Sequence, residues 1–135
     1  RDQGWLRVLW LDADVLVLDP GAFNLPDTAT AAGREVWIDH DARGRLKSWR
    51  KVHNAFLMFG PGDSLLDFYA DSAERLLLAV DGPIPPQFIG PKLLTALHSL
   101  SLFPVVEAAA MFSPLLLRDL LGEPAASGAI EVFLE

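Results

Sequence analysis

A chain of 135 residues with 51% hydrophobic and 21% charged residues has the size and balance of one globular domain rather than of a disordered segment. Eighteen acidic against 11 basic residues leave a net charge of −7, a poor match to nucleic-acid phosphates, and no basic stripe offsets it. With no cysteine, disulfides and thiolate metal sites are excluded and a reducing compartment fits, while no apolar run reaches the roughly 18 residues of a transmembrane segment.

The opening residues RDQGW do not resemble a signal peptide. Arg7 to Leu11 (RVLWL) then reads as a short buried strand that stops at Asp12. A second apolar run, Val15 to Leu18, ends at Asp19-Pro20. Residues 20–34, rich in Pro, Gly, Ala and Thr, read as loop. Val36 to Ile38 is a short strand, DHDARG (39–44) an exposed turn, and His53 to Phe59 another apolar strand closed by Gly60-Pro61-Gly62. Asp63 or Ser64 caps a helix whose apolar positions recur at Leu65, Leu66, Tyr69, Ala73, Leu76, Leu77 and Val80. After the GPIPP break, Gly90-Pro91 opens a helix with proline in its first position, and Leu93, Leu94, Leu97 and Leu100 form its buried face. Phe103 to Val106 is a strand, Ser113-Pro114 starts a third helix, and Ile130 to Leu134 is a closing strand. Strands alternate with helices, which predicts an α/β fold in a single domain over residues 1–135.

The sharpest chemical feature is WLDADVLVLD, residues 10–19. Asp12 and Asp14 follow a strand directly, and extended residues at i and i+2 point the same way, so both carboxylates face one ligand. Strand ends gather ligands in α/β sheets, and hard carboxylate oxygens suit Mn²⁺ or Mg²⁺, which bridge to phosphate. Against this stands an Asx-type turn: 12 aspartates in 135 residues give about one Asp-x-Asp by chance, and there are two. The other, Asp39 and Asp41, lacks the preceding strand and reads as a solvated turn. Elsewhere, Asn54 is a functional amide or a buried residue pairing with backbone, and His98 is a helix-surface histidine. Thr95 bonds back to its own helix, Arg50 and Lys51 are exposed loop charges, and Trp49 stacks on a sugar or edges the core.

LWLDADVLVLDP resembles the DXD region of glycosyltransferases with the GT-A fold. HNAFLMFGPGDSLLDFY (53–69), IGPKLLTALHSL (89–100) and MFSPL (111–115) resemble, in the same order, later segments of the DXD sugar-binding family. That family holds α-1,4-galactosyl- and N-acetylglucosaminyltransferases and yeast-type mannosyltransferases. The resemblance spans residues 7–115. It implies the C-terminal half of a GT-A-like domain, without the N-terminal nucleotide-binding units. It further implies a retaining, metal-dependent transfer from a nucleotide-sugar donor to a glycan or other hydroxyl acceptor. By the same resemblance Asp14, with Asp12, holds Mn²⁺ (or Mg²⁺) and the diphosphate, Asp12 and Asn54 contact the donor, and Gly90 and Pro91 shape the wall beside its sugar. An inactive GT-A-like remnant serving as a scaffold, and another metal-dependent phosphate-ester enzyme, are the alternatives. The location is the cytoplasm or the Golgi lumen, according to source.

Overall fold

A computed structural model describes residues 4, 6–13, 15–17, 19–122 and 127–135. Its frame is one five-stranded sheet of β1 (Val8–Leu11), β2 (Leu16–Val17), β3 (Thr30–His40), β4 (Leu46–Phe59) and β5 (Val105–Phe112), in the order β1-β4-β3-β5-β2. The helices are α1 (Ser64–Ala79), α2 (Leu93–Ser101), α3 (Pro114–Leu120) and α4 (Ala129–Leu134). The α/β class expected from the sequence is therefore observed, as a mixed sheet: β3 and β5 run parallel, and the other pairs are antiparallel.

The sheet must curl. β1 and β2 occupy its opposite edges, yet only five Cα steps join Leu11 to Leu16. Those steps reach at most about 18 Å, whereas the outer strands of a flat five-stranded sheet lie about 19 Å apart. Two bulges beside Gly33 accompany the curvature. Against β3, the register of β4 jumps from Ala32↔Leu57 to Gly33↔His53, so Asn54, Ala55 and Phe56 have no partner on β3. Against β3, the register of β5 jumps from Gly33↔Val106 to Arg34↔Ala110. Extra residues of this kind bend a strand and re-aim its side chains. β1 takes up the freed length of β4, pairing Leu11 with Phe56, and the Asp12 amide donates to the Ala55 carbonyl at 2.8 Å.

Alternation along the strands divides the core. Ala32, Val52 and Leu57 meet Leu94 and Leu97 of α2 and Phe103, with Leu65 and Tyr69 of α1 alongside. Ala31, Phe56 and Met58 face the opposite side with Val106 and Phe23. At the far end, Val36 and Ile38 pack against Leu116 of α3 and Ala129 of α4.

Several expectations are corrected. The strand at residues 7–11 is an exposed edge rather than a buried strand, with Trp10 62% accessible. The stretch read as loop, 20–34, already contains the start of β3 at Thr30. Arg50 and Lys51 lie on β4, not in a loop. Leu100 is exposed and does not join the buried face of α2. Residues 130–134 are helical, because the Asp119 carboxylate accepts the Ser127 amide (2.6 Å) and the Ala129 amide (2.7 Å) at the start of α4. That carboxylate supplies from outside the helix what a capping side chain normally supplies. Its pKa is held below the ordinary value, first by the Ser127 backbone hydrogen bond, against the opposing effect of burial.

Candidate functional site

Asp12 closes β1. Its amide is fixed on Ala55, and its Oδ1 accepts the indole N–H of Trp10 at 2.6 Å. The bond joins residues i and i+2 on the same side of an extended segment. No described residue bonds to the other carboxylate oxygen, Oδ2, and the residue is only partly buried. Such an oxygen is a chemically suitable donor to a hard divalent cation. Asp14, the other carboxylate of the motif, lies outside the described residues. Among those residues, no three His, Asp or Glu side chains gather as a metal site.

Asn54 stands in the β4 bulge, one residue from the carbonyl that holds Asp12. Its amide meets the turn Phe88–Lys92: a Cβ placed on Gly90 would lie 3.1 Å from Asn54 Oδ1. Glycine suits this close approach, since an added Cβ would oblige the amide to give by a few tenths of an ångström. The turn is also held by Tyr69 of α1, whose hydroxyl donates to the Ile89 carbonyl at 2.7 Å. Partial burial pushes that phenol's pKa up. Asn54 and Gly90 are thus in contact, and the Asp12 backbone is tied to the residue next to Asn54.

The helix start differs from the one expected. Pro91 is buried inside the turn, two residues before α2 begins at Leu93. The amides of Lys92 and Leu93 are already engaged, donating to the carbonyls of Gln87 and Gly90. The wall beside Asn54 is therefore a glycine Cα and a turn, rather than a row of free N–H groups.

His53 and Asn54 are adjacent on the bulge but do different work. His53 Nδ1 accepts the Ala55 amide at 2.9 Å. The ring lines a shallow crevice with Val15, Gly33, Arg34 and Phe56. Arg34 clasps Glu107, which projects from the β5 bulge, with contacts of 2.6 to 3.1 Å.

The remaining candidates have structural employment. Asp41 accepts the amides of Arg43 and Arg45 and pairs with the Arg45 guanidinium, closing the β3–β4 turn. These bonds, the Arg45 amide foremost, lower its pKa. Thr95 donates to the Val52 carbonyl of β4 at 3.5 Å, a long contact, rather than to its own helix. His98 stacks edge-on against Phe103, Lys47 sits over the Trp49 ring, and Arg50 donates to the Phe133 carbonyl. Sequence reasoning missed the Trp10–Asp12 bond, although the i, i+2 spacing signals it. It also missed the Ala55 anchor, which depends on a bulge that no local pattern announces.

No protein-family profile, curated protein or solved structure matches the chain. Among the described residues, no helix is long and apolar enough to cross a membrane.

Proposed function

We propose that the chain carries the metal- and sugar-binding part of a GT-A-type glycosyltransferase that moves a sugar from a nucleotide-sugar donor to a glycan or other hydroxyl acceptor. The observation that supports this most is the meeting of three segments distant in sequence. The strand leading into Asp12 and Asp14, the Asn54 bulge and the Gly90 turn come together within two consecutive residues of β4. A donor needs a cation for its diphosphate, a polar side chain for a sugar hydroxyl and a close backbone wall, and these segments supply residue types for each.

In this reading Asp14 and Asp12 hold Mn²⁺ (or Mg²⁺), which supplies charge neutralisation for the departing diphosphate. Trp10 orients the Asp12 carboxylate through its indole N–H. Asn54 presents its amide to a sugar hydroxyl, while Gly90 and Pro91 limit how far the ring advances. Transfer with retention of anomeric configuration follows the family resemblance.

The test is incubation with UDP-galactose, UDP-N-acetylglucosamine and GDP-mannose, each with Mn²⁺, followed by assay of nucleoside diphosphate release. Metal-dependent release from one donor, lost in Asp14→Asn and reduced in Asn54→Ala, supports the reading. Donor binding and turnover unaffected by Asp14→Asn would overturn it.

A further inference from the structure

A cavity of about 200 Å³ opens directly beside the Gly90 turn, lined by Lys51 of β4, Gln87, Pro91, Lys92 and Thr95. Its position is informative, since Pro91 follows the glycine that touches Asn54. The cavity thus adjoins the turn that Asn54 touches.

Charge is the second observation. The chain carries a net charge of −7, yet two lysines share this small cavity, and neither has a carboxylate partner among the described residues. Both side chains are exposed, so an anion entering the cavity meets two cationic residues that no carboxylate of the described residues neutralises. The third observation is backbone conformation. Gln87 holds φ at 62°, in the left-handed region that residues other than glycine seldom adopt. It is kept there by the turn that its carbonyl closes with the Lys92 amide. A residue with an amide side chain thus lines the cavity at a position where glycine would meet the backbone geometry at lower cost.

Much of the lining is apolar, with buried Pro91 and the hydrocarbon stems of the two lysines available to it. The volume is below the ~300–1,000 Å³ of pockets for drug-sized ligands, so it holds one ring and its substituent rather than a whole donor.

We propose that this cavity binds an acidic sugar of the acceptor, with Lys51 and Lys92 gripping a carboxylate or phosphate and Pro91 bearing on the ring. The acceptor assignment rests on the glycosyltransferase reading. The anion preference does not. Both sources share the same recognition chemistry, a charge-assisted hydrogen bond from an ammonium to an anionic oxygen.

The test uses the full chain and three probes, glucuronate, glucose 6-phosphate and glucose, titrated by NMR or calorimetry. The variants are Lys51→Ala, Lys92→Ala, their combination and Asp14→Asn. Both lysines are exposed, so the variants retain the fold. At least one acidic sugar is expected to bind on the order of tenfold more tightly than glucose. The preference should disappear in the double lysine variant, shrink with added salt and survive in Asp14→Asn. The tighter of the two acidic probes identifies carboxylate or phosphate as the source. Equal binding of all three sugars, or an unchanged preference in the double variant, overturns the proposal. An acidic-sugar preference in a protein that shows no Mn²⁺-dependent donor binding supports the cavity and overturns the transferase reading instead. Donor binding without any acidic-sugar preference does the reverse.

Discussion

Replacing Gly90 with alanine tests the contact on which the site is built. The new methyl would lie 3.1 Å from Asn54 Oδ1 and 3.5 Å from its Cγ, so the amide must give by a few tenths of an ångström. Asn54 is only partly buried, which puts the cost near the low end of overpacking, about 1 kcal/mol. Loss of chain entropy in the unfolded state works in the opposite sense, by about 0.4–1 kcal/mol. The single substitution is therefore close to neutral, and its sign decides nothing. The coupling decides. In an Asn54→Ala background the obstructing amide is gone, while the entropic effect and any cost of placing alanine on this backbone remain. Gly90→Ala should then be more favourable by about 1 kcal/mol than in the wild type. Equilibrium urea unfolding of the four proteins measures this directly, provided their m-values agree. Additivity to within about 0.3 kcal/mol would refute the contact, and with it the claim that Asn54 and Gly90 form one wall.

Other outcomes follow from the same geometry. Leu116→Ala, at a fully buried position between β3 and the C-terminal helices, should cost about 2–5 kcal/mol in urea unfolding. Asp119→Ala should lower stability at neutral pH and loosen α4, seen as faster amide exchange at Ser127, Ala129 and Ile130. Because the folded-state pKa of Asp119 lies below its ordinary 3.8, its stabilisation is complete well above that value and fades as pH falls through the folded pKa. Wild type and variant should therefore converge in stability on acidification, and a constant difference down to low pH would contradict the assignment. Saturable quenching of tryptophan emission by Mn²⁺ should be lost in Trp10→Phe, because that indole bonds to Asp12, and kept in Trp49→Phe. Asp39→Asn should leave Mn²⁺ affinity unchanged.

Local signals carried the reading a good distance. Asp63 and Ser113 were legible as caps, and each accepts an amide two or three residues on, from Leu65 and Leu116. The strand before Asp12 and the run to Phe59 were legible from their apolar content. Thr30 to Gly33 was not, because small residues in strands resemble loop composition. Ala31 and Ala32 are fully buried, and a Cβ on Gly33 would lie 3.1 Å from the Phe56 Cβ, so close packing demanded small side chains there. The β-branched segment IEVFL reads as strand by propensity, and a carboxylate 11 residues before its first residue overrides it by holding the Ser127, Ala129 and Ile130 amides. On the site, the Asp12–Asp14 spacing was visible as a motif, while Asn54 and Gly90 were brought to one place only by the family resemblance. The cavity at Lys51 and Lys92 was not, since it joins a strand to a turn about 40 residues later.

Calorimetric titration of Mn²⁺ and nucleotide sugar into wild type, Asp14→Asn and Asn54→Ala tests the central claim most directly. The account predicts donor binding that requires Mn²⁺, is abolished in Asp14→Asn and is weakened without loss of the metal in Asn54→Ala. Equal Mn²⁺-dependent binding by wild type and Asp14→Asn would contradict it.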